Sequence, residues 1–550
     1  MAWFDATHDA GRSRRGPQWS DGYTVDAHYP GPMVLELNPL RLSATAVLHG
    51  QPPLPADRPL TWVDLGCGHG LTACMVAAAN PGIQVWGFDY NPAHIERARG
   101  LARAARLDNC HFIEASFADL AAHDPAAHGP TAHDPATEPP VVPGDVDVFV
   151  VNGVCSWIAP DQQAGIVSII EQRLVPGGLA YVMYESPAGW SSMVPVAEAL
   201  HLHAAFDGRA GNQAFHDAAA AVVRLAEGGA RSFPLGPRET SQMESWAGSD
   251  ASLSSHEYLG GHFAPLMFDQ VARRMETAKC SFVGSLDATD HISRFWVRPD
   301  LADRVRSTND VVTRELMREL INQQALRRDV FRRGLAWTSR QTVGEWIDAL
   351  TITSLGRPFD GSPVKTQGGE VSLDATFYEP LVAALAERNL GVAQVLEIHP
   401  SWSDEDAAAA ISFLVDGGYA AFVHPAGVSA ETFAASRRLN QVLVEENRLG
   451  ANHSAFVAPA IGSAIEVDSL EMSAIAAVWA GAPEDVEVLT NHALAELDAG
   501  GRFVREEGEL IRDRDAATEI IRRRVEHALE LHRGVFVTLG VSGAGPTVAT

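Results

Sequence analysis

From residue 61 to residue 186, short apolar runs alternate with stretches whose apolar positions recur at helical spacing. The pattern predicts a strand from Thr61 into a glycine turn, then a helix over 71–80 that Pro81-Gly82 closes. A second strand follows at 84–88. Asn91-Pro92 opens the next helix, because Asn caps well and Pro suits the first helical position. That helix carries Ile95, Ala98, Leu101 and Ala102 on one face. Strands at 111–114, 145–152 and 179–186 continue the series, the last two separated by a helix and the turn Pro176-Gly177-Gly178. Continuously apolar strands between helices indicate a parallel sheet covered on both faces, hence a doubly wound, Rossmann-like α/β fold.

Beyond residue 190 the pattern changes. Residues 193–279 read as a mainly helical cap over the sheet's carboxyl edge. Segments 281–287 and 293–299 read as the sheet's last strands, and 301–335 as a charged helix. A polar linker spans 356–370. A mainly helical (α+β) C-terminal domain follows from 374, with helices at 377–388 and 404–415, short strands at 419–425 and 454–459, and a winged-helix-like character. The expected division is 1–190 for the sheet domain, 191–300 for the cap with the last strands, 301–373 for a helical middle region and linker, and 374–550 for the accessory domain. Within the first of these, 121–144 is rich in Ala, His, Asp and Pro and reads as a disordered-type insert.

The chain has 550 residues, 46% of them hydrophobic, so a large core is available. A net charge of −27 argues against a nucleic-acid partner, which calls for a clustered basic face. The basic groups at Arg12, Arg14 and Arg15 and at Arg522–Arg524 read as a tail and a solvated helix face. Five cysteines without a CxxC imply reduced thiols and a cytoplasmic setting. No run of apolar residues is long enough to predict a membrane span. Metal binding is not expected. His123, His128 and His133 lie in the insert, and His256 and His262 are six apart where a zinc helix needs four.

The chemistry concentrates in the first strand–turn–helix unit. Gly66, Gly68 and Gly70 form GxGxG, and Leu71 stands where a dinucleotide fold prefers its last glycine. Asp64 precedes the turn, and Asp89 ends the next strand, where a carboxylate can accept two ribose hydroxyls. This pattern points to S-adenosylmethionine (SAM). Its amino-acid end is expected on the backbone of the turn, including Cys67, and its ribose on Asp89 beside Tyr90 and Asn91. Its adenine is expected beyond the third strand at Ser116 and Phe117, and its methyl at Asn152-Gly153. Around the methyl, Asn152, Trp157, Tyr184 and Glu185 are candidate catalytic residues. Tyr29, Glu36, Trp190 and His262 are candidates for the substrate side.

DLGCGHGLTACMVAAANP, GFDYNPAHIERAR, ASFADL, NGVCSWIAP and VPGGLAYVMYESPAGW resemble bacterial class I methyltransferases that carry a methyltransferase regulatory domain. HEYLGGHFAPLMFDQVARRM, SFVGS and LRRDVFRRG resemble the regulatory domain itself. The architecture is similar to rickettsial-type lysine methyltransferases of outer-membrane proteins. The resemblance implies a SAM-dependent enzyme with a lysine-bearing protein substrate, and leaves room for a homodimer. Two departures fall near the expected acceptor. Asn152 stands where the family usually has His, and Glu185-Ser186-Pro187-Ala188 where Asn and Pro-Gly-Trp are usual. A small-molecule or glycan O- or N-methyltransferase is the alternative enzyme, with His262 as a base. A SAM-binding regulator without catalysis is the alternative of another class.

Overall fold

The computed structural model describes residues 33–122, 142–207, 211–230, 246, 258–297, 299–424, 427–506 and 509–543. Tyr29, the basic group near Arg12, and the histidines of the insert lie outside the described residues. A short 3-10 turn (Leu35–Leu37) leads into α1 (Pro39–Leu48). Then come β1 (Thr61–Leu65), α2 (Leu71–Ala79), β2 (Gln84–Asp89), α3 (Pro92–Ala105), β3 (Cys110–Glu114) and α4 (Phe117–Ala122). β4 (Val146–Val151), α5 (Pro160–Arg173), β5 (Leu174–Glu185), β6 (Cys280–Ser285) and β7 (Leu326–Arg333) complete a seven-stranded sheet in the order β3-β2-β1-β4-β5-β7-β6. β1 to β5 are parallel, and β7 runs antiparallel to both β5 and β6. β1 and β4 lie side by side inside the sheet, and the strand order reverses between them. Ligands of open α/β sheets bind at such a switch point.

The late strands depart from the sequence reading. Segment 280–285 is a strand, but 293–295 is a 3-10 turn, and the other late strand is β7. It lies in the stretch read as one charged helix, which contains the helices Pro299–Arg306 and Val311–Ile321 instead. β7 reads LRRDVFRR, and its charges hide an alternation. Arg327 and Asp329 are buried and paired with each other, and Arg327 also reaches Glu315 at 3.1 Å. A strand can bury charges when each meets a partner.

The C-terminal region packs on the sheet domain directly. The helix Ala430–Arg448 lies across α2 and α3, placing Leu439 and Leu443 in one apolar core with Met75, Ile95 and Val85. Each buried leucine contributes about 1.5–3 kcal/mol. The helices expected at 377–388 and 404–415 are Ala375–Glu387 and Asp404–Asp416. The short strands Ala420–Phe422 and Ala455–Ala458 do not pair with each other. The first meets Ile352–Ser354 and the second Ser463–Glu466, so they do not form a single wing. Among the described residues no helix is long and apolar enough to cross a membrane.

Candidate cofactor and acceptor site

The turn after β1 is held by backbone. Gly66 N–H and Cys67 N–H both donate to Phe88 O, at 2.8 and 3.0 Å, clipping the turn to β2. A side chain at Gly70 would place its Cβ 2.6 Å from Ala98 Cβ and 2.7 Å from the Phe112 ring. Its φ of 73° is also left-handed, so only glycine lets α2 start against α3 and β3.

Asp89 ends β2 beside this turn. Its Oδ2 accepts from Gly68 N–H at 3.0 Å and its Oδ1 from Asn91 N–H at 2.8 Å. His94 Nδ1 lies 3.3 Å from the same Oδ1. Asn91 caps α3 by accepting from Ala93 N–H. A carboxylate has about four acceptor positions, so Asp89 is anchored by main chain and retains capacity for hydroxyl donors. Asp64 is 6% exposed, and among the described residues its Oδ1 has no hydrogen-bond partner. Burial, with Asp89 nearby, pushes its carboxyl up to about 7. A cleft lined by Leu37, Asp64, Gly68, Gly70 and Asn152 opens over the turn. An unpartnered buried acceptor, an anchored carboxylate and a bare glycine turn suit a ligand that has an ammonium group and a ribose but no phosphate.

The other predicted residues divide. Asn152, just after β4, lines this cleft, and its Oδ1 accepts from the Tyr181 hydroxyl at 3.3 Å. Gly153 has a φ of 65°. Tyr90 is half-buried next to Asp89. Burial pushes the Cys67 thiol well up, which leaves it a poor nucleophile. Ser116 Oγ donates to Asp119 at 2.7 Å at the start of α4, and Phe117 packs in the core against α5. Trp157 is buried and stacks on Phe263 with centroids 4.5 Å apart, and Trp190 lies 5.4 Å from Phe263. Glu185 shares this end of the sheet. Its backbone N–H donates to Ser156 Oγ, and burial pushes its carboxyl up. His262 is half-buried next to Phe263. Tyr184 does not join them. It is fully buried, and its hydroxyl donates to Asp329 at 2.6 Å, on the face of β5 opposite Tyr181.

A larger cavity of about 690 Å³ lies between the sheet's carboxyl edge and the C-terminal region. Leu35 and Glu36 line it, whereas Leu37 of the same short turn lines the glycine-turn cleft. Its walls carry Glu36, Asp287, Asp416 and Glu466 against Arg41, Arg328 and Lys365. Asp416 is engaged by Arg41 at 2.8 Å and by the backbone of Ala288 and Thr289. Arg328 is shared between Glu36 (3.3 Å) and Asp287 (3.4 Å). Sequence reasoning missed Tyr181, which reads as core in an apolar strand, and Arg328, which reads as one charge in a charged helix. Among the described residues no group of His, Cys, Asp and Glu is placed to hold a metal ion.

Residues 63–180 match the model of a methyltransferase domain, and residues 250–333 match that of a methyltransferase regulatory domain. The fold, the turn and these matches define the class: the chain is a SAM-dependent methyltransferase. Among curated proteins it is similar to sll1526 of Synechocystis sp., at 26% identity over 466 residues, covering 82% of this chain and 87% of that one. It is also similar to RP028 of Rickettsia prowazekii, at 26% identity over 152 residues, covering 28% and 52%. Among solved structures, PKMT2 from Rickettsia typhi in complex with AdoHcy aligns with a TM-score of 0.64 at 16% identity, covering 93% of this chain and 99% of that one.

Proposed function

We propose that this methyltransferase transfers its methyl group to the amine of a lysine side chain in a protein, of the bacterial outer-membrane type. The observation that carries the reading is the cavity set one short turn from the cofactor cleft, whose walls carry four carboxylates against three cations. With Asp416 neutralised by Arg41, and Arg328 divided between two carboxylates, the walls retain an attraction for a cation. The net charge of −27 steers a basic protein, not a nucleic acid, toward it. The likeness to PKMT2 over 93% of the chain supports the same reading.

In this reading Asp64, Gly66, Cys67, Gly68, Gly70, Asp89, Tyr90, Asn91 and Gly153 hold the cofactor, with Ser116 and Phe117 beside its base. S-adenosylmethionine, when bound, supplies an electrophilic methyl on a sulfonium. Asn152 lines the cleft, with Trp157 and Glu185 on the acceptor side. Glu36 attracts the incoming ammonium. A lysine has an ordinary pKa of about 10.4, and withdrawal from water lowers it. The proton leaves to solvent before attack, so no strong dedicated base is required. The remaining rate gain comes from holding amine and methyl within near-attack distance.

The test is transfer from a tritium-labelled donor, with a bacterial outer-membrane protein fraction and an organic extract of the same cells as acceptors. Label in the protein fraction, located on methyl-lysine by mass spectrometry, is expected. Label confined to the extract would favour a small-molecule or glycan acceptor. Label in neither would favour a regulator that binds the cofactor without turning it over.

A further inference from the structure

β5 carries tyrosines at 181 and 184, which face opposite sides of the sheet and lie in different cores. Both are fully buried, and both hydroxyls are bonded. Tyr184 ends on Asp329, which Arg327 also holds at 2.9 Å, inside a buried ion-pair network with Glu315. That network faces neither the cleft nor the cavity and has the character of a structural brace. Tyr181 occupies a different position. Its hydroxyl donates to the Oδ1 of Asn152, a wall residue of the cofactor cleft. Arg328, a wall residue of the acceptor cavity, is near enough for its positive charge to act on the phenol. Arg328 is in turn fixed by Glu36 and Asp287.

We propose that Tyr181 and Arg328 are positioning residues for methyl transfer: Tyr181, backed by the charge of Arg328, orients the Asn152 carboxamide in the cofactor cleft. A side-chain amide can flip, exchanging a double acceptor for a double donor. The phenol O–H donates only to the oxygen and so selects one of the two orientations. The positive charge of Arg328 favours the phenol oxygen turned toward the guanidinium and the phenol proton turned away, toward Asn152. One lone pair of Oδ1 is left, and the amide nitrogen has a defined side. The inference rests on the assignment of Asn152 to the reaction, not on the acceptor being lysine.

The experiment compares Tyr181→Phe with Tyr184→Phe in the full chain. Each removes one hydroxyl and keeps the ring. In single-turnover transfer to whichever fraction carries label, Tyr181→Phe is expected to lower the rate about tenfold or more, leaving cofactor affinity within about threefold. Combining it with Asn152→Ala is expected to add less than about twofold to the loss from Asn152→Ala alone, because both act through one group. Arg328→Met should lower the rate as well, with Arg328→Lys restoring part of it. A second readout needs no acceptor. In protein labelled with 15N-asparagine, the Asn152 side-chain amide resonance, assigned by its loss in Asn152→Ala, should move in Tyr181→Phe and stay in place in Tyr184→Phe. An unmoved resonance, a rate within about twofold of the parent, or full additivity with Asn152→Ala would each overturn the proposal. If no protein takes label the lysine reading falls, and the amide resonance still decides this one.

Discussion

Asp64 makes cofactor binding a proton-linked event. Its carboxyl is buried, has an oxygen without a partner among the described residues, and is pushed up to about 7 from an ordinary 3.8 by burial first and Asp89 second. The elevation of roughly three pK units corresponds to about 4 kcal/mol at about 1.36 kcal/mol per unit. The sign follows from proton counting. Between pH 4 and 7 the native state holds a proton that the unfolded chain has released, so the ligand-free protein loses stability as pH rises through that window. A ligand ammonium facing Asp64 reverses the preference and favours the carboxylate. At pH 6 most molecules then release a proton on binding, at pH 7 about half, and at pH 8 about a tenth. Affinity should rise up to about tenfold per pH unit below 7 and level off above it. Titration calorimetry at these pH values, in buffers of different ionisation enthalpy, measures the protons directly. Asp64→Asn keeps the shape and removes the titration. It should abolish the linked protons, weaken binding above pH 7 by about 1.5–3 kcal/mol, and raise the melting temperature of the ligand-free protein at pH 8. Proton traffic from the ligand's own amine persists in the variant and is subtracted. Equal proton release by parent and Asp64→Asn would refute the reasoning.

Three further outcomes follow from the geometry. Asp89→Ala should weaken cofactor binding by about 1.5–3 kcal/mol, the scale of a hydrogen bond to a charged group. It also strands the N–H groups of Gly68 and Asn91; unchanged affinity by calorimetry would contradict the ribose assignment. Gly70→Ala should lower stability by about 1–3 kcal/mol through overpacking against Ala98 and Phe112, with left-handed strain added, and denaturant unfolding would expose an error by showing no change. Tyr184→Phe should cost about 1–3 kcal/mol of stability, because Asp329 loses a donor in the interior. Its transfer rate at a temperature where it stays folded should match the parent, and a rate loss without a stability loss would return Tyr184 to the acceptor side.

How far the sequence could be read depended on the distance between partners in the chain. The glycine turn, Asp89 and the cap at Asn91-Pro92 lie within one strand–turn–helix–strand unit, and the turn's hydrogen bonds to Phe88 and Asp89 close inside it. Local spacing therefore determined that unit, the parallel strands β1 to β5 and the class of ligand they suit. The late strands were harder because polarity misled. Segment 293–299 reads as a strand, yet 293–295 is a 3-10 turn, whereas β7 looks charged and lies inside the sheet between β5 and β6.

Tertiary structure alone decided the rest. β7 is a buried strand because Glu315 and Asp290, on other elements, neutralise an arginine network that includes Arg327 and Arg318. The larger cavity gathers Glu36, Asp287, Arg328, Asp416 and Glu466 from far-separated segments, and no spacing rule links them. Tyr181 and Tyr184 are chemically identical and three residues apart. One is tied to the cleft and the other to a brace, because successive strand residues face opposite sides and the neighbours on each side come from elsewhere in the chain. A backbone turn carries its own partners with it, whereas a side chain's role waits on what the fold brings to meet it.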